Sequence, residues 1–142
     1  MLFSTAAMCL ATAIYFEARG EPIAGQIAVA NVIVNRTEDR RYPNTVCEVV
    51  KQGPTYRWAT HIPVRHRCQF SFYCDGKKEV INDVHAFNKA VDIAKRTLNG
   101  EILDITEGAT HYHALYVLPD WAATKTHTVT INNHIFYRWE FR

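Results

Sequence analysis

The chain lacks several signatures that would assign a chemistry at once. It has no Gly-x-Ser-x-Gly elbow and no glycine-rich phosphate loop, so neither the α/β-hydrolase pattern nor a nucleotide-binding pattern supports a function. Its cysteines do not fall in the paired, closely spaced sets of a structural zinc site. No local pattern singles one out as a nucleophile. No apolar run reaches the roughly 18 residues of a membrane-spanning helix, so no membrane insertion is expected. There are no internal repeats, linkers or low-complexity tracts. Charge of one sign is also scarce: sixteen Lys+Arg against fourteen Asp+Glu leave a formal net charge of +2. That is too weak a balance to point to nucleic acid.

What remains is an ordinary globular composition, 48% hydrophobic and 21% charged over 142 residues. That length suits one domain, residues 1–142, since two halves would each be too small to bury a good core. Aromatic residues are plentiful at 12%, and several stand beside polar residues, as a carbohydrate cleft requires. The first sixteen residues carry no charge, and Ala11-Thr12-Ala13 imitates a cleavage site. The basic segment of an export signal is missing, however, so this stretch is expected to be a structural helix.

Ser4 or Thr5 can cap that helix, which runs to about Ala18 with Gly20 as its stop. It is apolar nearly all round, the mark of a helix buried in a core. Pro22 opens a second helix that Arg36 ends. Thr45 with Glu48 forms a capping box for a short third through about Lys51. Residues 52–67, irregular and holding Gly53, Pro54 and Pro63, read as loop. Asp75-Gly76 reads as a turn. Asn82 or Asp83 caps a further long helix whose apolar face is Val84, Phe87, Val91, Ala94 and Leu98, closed by Asn99-Gly100. Near the C-terminus the period changes: Thr126 to Ile131 alternates, Asn132-Asn133 can turn, and Ile135 to Phe141 is β-prone. Helices first and a hairpin last indicate an α+β fold.

Of the four cysteines, Cys9 lies in the apolar N-terminal run and reads as a small buried side chain. Cys68 and Cys74 bracket five residues that a tight loop could close into a disulfide, with Cys47–Cys68 as a competing pair. A bridge would place the protein in an oxidising space such as a periplasm.

Three clusters carry the chemistry. In IYFEARGEP, residues 14–22, Glu17 sits at the end of a largely apolar helix, where burial can raise its pKa as a general acid requires. Pairing of Glu17 with Arg19 or Arg36 at the surface is the alternative. Glu21 reads as an anion at the start of the second helix. In GATHYHA, residues 108–114, the His-x-His spacing puts His111 and His113 on one strand face, which can bind zinc if His85, His127 or His134 supplies a third ligand. Otherwise Thr110, His111 and Tyr112 line a groove and hydrogen-bond a polar substrate. In QFSF, residues 69–72, polar and aromatic residues alternate as one wall of a sugar-binding cleft would, or as a half-buried strand.

Together these stretches resemble the SleB-type cell-wall hydrolases, the family of spore cortex-lytic enzymes. The resemblance runs through residues 14–36 (IYFEARGEPIAGQIAVANVIVNR), 42–50 (YPNTVCEVV), 68–76 (CQFSFYCDG) and 108–114 (GATHYHA), and more weakly through 132–138 (NNHIFYR). It implies a lysozyme-like α+β fold and cleavage of peptidoglycan between N-acetylmuramic acid and N-acetylglucosamine. Glu17 corresponds to the family's catalytic glutamate. The single-glutamate route that the resemblance implies is a lytic transglycosylase closing a 1,6-anhydro ring. A muramidase with a second carboxylate (Asp75, Asp104 or Asp120), a zinc amidase using His111 and His113, and a non-catalytic wall-binding module are the other readings. Gln69 and Ser71 are expected to bond N-acetyl groups or orient Glu17, with Tyr15, Phe72 or Trp121 stacking on sugar faces. No metal or other cofactor is expected, and the protein is expected to act on the bacterial wall as a monomer. The missing export signal and missing wall-binding domain suggest a phage or prophage lysin released by a partner.

Overall fold

The structure, a computed structural model, describes residues 4–140. Phe141 of the expected final strand therefore lies outside the described residues, as do the first three positions of the uncharged N-terminal stretch.

Helix α1 spans Ala6–Ala18, and Thr5 caps it by accepting a hydrogen bond from the Met8 N–H at 3.2 Å. Its apolar circumference is satisfied on all sides, because α1 packs against the three other helices, α2 (Ile23–Thr37), α3 (Val46–Val50) and α4 (Val84–Leu98). Leu10, Ile14 and Tyr15 are completely buried there, with Val29, Ile33, Val49 and Val50. Each such aliphatic side chain contributes about 1.5–3 kcal/mol on leaving water. Pro22 stands at the cap position just before α2, one residue earlier than a first helical position. Glu21 does not cap that helix: no side chain does, and the Glu21 carboxylate instead lies 3.6 Å from the His134 ring. Thr45 and Glu48 do pair at α3, the Thr45 hydroxyl accepting from the Glu48 N–H and donating to its carboxylate at 2.7 Å.

Asp83 caps α4, and Gly100 takes the left-handed conformation (φ 77°) that ends it. The buried face of α4 matches the expected one in part: Ala94 is buried and Phe87 and Val91 pack against the core, while Val84 and Leu98 are exposed. Ala90, Ile93 and Thr97 also face the core. Small Ala90 lets the helix approach closely, and Thr97 is tolerated inside because its hydroxyl donates to the Ile93 carbonyl at 2.7 Å.

The 52–67 stretch is not simply loop. It holds an antiparallel hairpin, β1 (Thr55–Tyr56) and β2 (Ala59–Pro63), whose base is closed by the Val64 N–H donating to the Pro54 carbonyl. A proline at the strand end is compatible with an edge position, where no ladder donor is needed. A second sheet has the order β3–β5–β4 from His111–Ala114, His134–Arg138 and Thr126–Ile131, all antiparallel. Asn132 takes a positive φ in the β4–β5 turn. Phe136, completely buried, packs with Ala28, Val32 and Ala109 in a smaller core that fastens this sheet to α2.

Two disulfides staple the described chain: Cys68–Cys74, as the spacing allowed, and Cys9–Cys47. The second corrects two expectations. Cys9 is not a free buried thiol, and Cys47 does not pair with Cys68, because α3 docks on α1 and brings Cys47 against Cys9. A bridge closing a span of 38 residues stabilises a fold by roughly 2–4 kcal/mol.

Candidate active site

Glu17 lies in the last turn of α1, where the helix leaves the core and meets the C-terminal end of α2, strand β3 and the segment before the Ser71–Cys74 3-10 helix. With the 3-10 helix Asp120–Thr124 these elements enclose a cavity of about 210 Å³ lined by Glu17, Arg36, Gln69, Phe70, His111, Tyr112 and Trp121. The register of β3 on β5 sets His111 opposite Tyr137 and Tyr112 opposite Phe136, which fixes where both side chains can reach. The Tyr112 hydroxyl donates to Glu17 Oε1 at 2.7 Å. Burial pushes the Glu17 pKa up; the Tyr112 hydrogen bond and the positive charge of Arg36 offset this only in part. Burial, reinforced by the ionisable carboxyl beside it, also holds the Tyr112 phenol well above its ordinary pKa, so it remains a donor.

His111 faces the cavity with its ring 4.9 Å from that of Trp121, and its Nδ1 lies 2.9 Å from the Thr110 hydroxyl. Burial and the charges of Arg36, Lys125 and Arg41 lower its pKa to about 4, so it is a neutral imidazole near pH 7. Arg36, in the last turn of α2, is 6% exposed. Its Nε donates to the Thr110 carbonyl at 2.8 Å and its guanidinium lies over the Tyr42 ring. Sequence reading weighed Arg36 only as a surface ion-pair partner. Its place in the last turn of a helix whose buried face is largely apolar was the available signal.

The other expected site residues divide. Gln69 lines the cavity, held by its N–H donating to the Gln52 carbonyl. Ser71 is exposed and Thr110 buried; neither lines the cavity, and Thr110 instead borders a neighbouring one with Trp139. Tyr15 cannot stack on a ligand. Two residues from Glu17 on a helix means a turn of about 200°, so its side chain points into the core. There it is completely buried, and its hydroxyl accepts from the N–H groups of Asn82 and Asp83. Phe72 is likewise taken by the core, stacked on Phe16 at 5.0 Å, and Phe70 lines the cavity in its place. The 69–72 stretch is not a strand, yet its alternation survives: Phe70 and Phe72 are buried, Gln69 and Ser71 exposed.

Among the described residues no second carboxylate lines this cavity. Asp104 is taken up by hydrogen bonds from Asn35, Thr106 and Gly108. Asp75 accepts from the Lys77 N–H, and Asp120 borders a different hollow with Leu118 and Tyr137. His113 points with His111 toward Trp121, but its two ring nitrogens sit 2.8 Å from the Tyr137 hydroxyl and the Ala114 carbonyl. Among the described residues no group of three His, Cys, Asp or Glu gathers around a common point, so the His111–His113 pair has no third ligand. No helix among them is long and apolar enough to cross a membrane.

The structure is a helical domain with two small antiparallel sheets, and its polar cavity holds a buried carboxyl group of raised pKa that accepts a hydrogen bond from a tyrosine. The chain belongs to the Cell Wall Hydrolase family, whose model it matches over residues 20–137. It is 33% identical over 132 residues to a spore cortex-lytic enzyme of Halalkalibacterium halodurans, an alignment covering 89% of this chain and 33% of that protein. A shorter stretch of 41 residues is 54% identical to a spore cortex-lytic enzyme of Bacillus subtilis, covering 29% of this chain and 13% of that one. The chain thus spans about a third or less of the curated relatives it matches. In three dimensions it is similar to the catalytic domain of the germination-specific lytic transglycosylase SleB from Bacillus anthracis, with TM-score 0.67, 30% identity, and coverage of 94% of this chain and 93% of that one. The catalytic domain of Bacillus cereus SleB gives a TM-score of 0.66 at 30% identity, covering 94% and 89%. The lysozyme-like α+β fold implied by the sequence resemblance is the fold shared with these domains.

Proposed function

We propose that the chain cleaves the glycan strands of peptidoglycan between N-acetylmuramic acid and N-acetylglucosamine, as a lytic transglycosylase in which Glu17 is both acid and base. The observation that carries this reading is a buried carboxyl in a cavity that no second carboxylate among the described residues lines. Its likeness to the SleB catalytic domain, described as a lytic transglycosylase, supports the same route.

Glu17, neutral at rest, donates its proton to the glycosidic oxygen as that bond breaks. Tyr112 occupies Oε1, leaving Oε2 to carry the proton. With the aglycone departing, the Glu17 carboxylate takes the proton of the muramic C6 hydroxyl, whose oxygen closes on C1. The product is a 1,6-anhydromuramic end, and no water is consumed. A retaining hydrolase would instead need a second carboxylate about 5–5.5 Å away, and an inverting one a base farther off. Neutral His111 and Gln69 serve as hydrogen-bonding groups for acetamido oxygens and nitrogens, and Trp121 as a stacking face. In this reading the chain works as a monomer on the bacterial wall.

Mass spectrometry of a digest of purified peptidoglycan tests the proposal. Anhydromuramic ends are expected. Reducing muramic ends would replace the transglycosylase by a muramidase, and released stem peptides would replace both by an amidase.

A further inference from the structure

Arg36 is a buried cation with unused capacity. The guanidinium sits between the rings of Tyr42 and Phe70, 4.9 and 5.4 Å from their centroids. Its Nε is committed to the Thr110 carbonyl, while Nη1 is buried without any hydrogen-bond partner. No carboxylate among the described residues lies within ion-pair distance of it; Glu17 acts on it only through its longer-range charge. A buried guanidinium without a counter-ion is costly unless something completes it, and Arg36 lines the same cavity as Glu17. Arginine is suited to planar oxygen acceptors, which it binds with more geometric specificity than lysine.

We infer that Arg36 is the residue that selects a muramic sugar for this cavity, its guanidinium donating to the carbonyl oxygen of the lactyl group that distinguishes muramic acid from N-acetylglucosamine. The inference rests on the glycan-cleavage reading above and adds the source of its sugar specificity. It makes Arg36 a binding residue and gives it no proton to transfer. The two rings and the Thr110 carbonyl hold the guanidinium plane fixed, so little side-chain freedom is lost when the ligand arrives.

The test is binding without turnover, on the full chain, by NMR titration with three disaccharides. These are N-acetylglucosaminyl-N-acetylmuramic acid with a free lactyl carboxylate, the same compound with the lactyl group amide-linked to L-alanine, and N,N′-diacetylchitobiose. The parent is expected to bind at least one muramyl compound about tenfold or more tightly than chitobiose, the scale of a hydrogen bond to a charged group. The stronger of the two muramyl forms tells whether the oxygen recognised is charged. In Arg36→Lys the preference is expected to fall toward unity, with chitobiose affinity unchanged. A parent without preference overturns the inference, as does a variant that keeps it or one that weakens all three ligands equally. Should Arg36→Lys not fold, the parent's own Arg36 guanidinium resonances decide: they must shift with the muramyl ligand and not with chitobiose, and failure to do so overturns the inference. Because no cleavage is read, a chain that shows the preference but releases no anhydromuramic ends refutes the proposed reaction and leaves this site standing.

Discussion

Tyr15 and Glu17 stand two residues apart on one helix and serve opposite regions. On the Tyr15 side, α1 faces an apolar core in which Leu10, Ile14 and Ile33 are completely buried and the polar groups are satisfied: the Tyr15 hydroxyl accepts two backbone N–H bonds, and the Thr12 and Thr97 hydroxyls donate to the Met8 and Ile93 carbonyls. On the Glu17 side, burial falls on groups that retain chemistry: a carboxyl with one donor, a guanidinium with a free nitrogen, a neutral imidazole. The core spends its polar groups on holding the fold, and the cavity leaves its own partly unspent. Incomplete satisfaction, rather than burial itself, separates a site from a core.

Substitutions can break that contrast. Glu17→Gln should lower the rate of glycan cleavage by at least about 10²–10⁴, the usual worth of a positioned proton donor; undiminished release of muropeptides would end its role. The same variant should lose no stability at neutral pH. Because the folded state raises the Glu17 pKa above 4.5, it holds that proton more tightly than the unfolded chain does. The associated stability is complete below the ordinary value and fades as pH rises through the raised one. A glutamine escapes the loss, so urea unfolding at pH 8 should find the variant at least as stable as the parent.

On the core side, Leu10→Ala should cost about 2–5 kcal/mol of unfolding free energy, while cleavage per folded molecule stays at the parental rate. Tyr15→Phe should cost less, about 1–3 kcal/mol, for two backbone donors left without their acceptor. It too should leave turnover intact, and a large drop in rate with unchanged stability would return Tyr15 to the site. The smallest effect is a displacement of a pH profile. Tyr112→Phe removes the hydrogen bond that lowers the Glu17 pKa, so the alkaline limb of cleavage, which reports the protonated acid, should move to higher pH. A shift to lower pH would mean that Tyr112 does not hold Glu17 in the working enzyme.

Much of this was legible locally. Caps at Thr5, Thr45 and Asp83 and the turn at Asn132 depend on side chains and dihedrals within a few residues, and they appear where the chain order puts them. The β1–β2 hairpin was hidden because its strands are short and irregular in register and share a stretch with two prolines. The site was legible in part. Glu17, Gln69, His111, Tyr112 and Trp121 do converge, whereas Phe72 and Phe70 exchanged roles because a 3-10 helix follows directly and turns Phe72 onto Phe16.

By itself, then, the order of residues determined the helices and their caps, a final hairpin, and a carboxylate at the exit of a buried helix, because those properties are written in spacings of two to four residues. Tertiary structure alone decided that Cys9 meets Cys47, that Tyr15 turns inward while Arg36 enters the cavity, and that Tyr112 reaches Glu17 from 95 positions away. Each is a meeting of distant segments, set by how α1, α2 and α3 dock and by the register of β3 on β5. Local chemistry cannot encode such a meeting, because it depends on which faces are left to bury once the elements have formed.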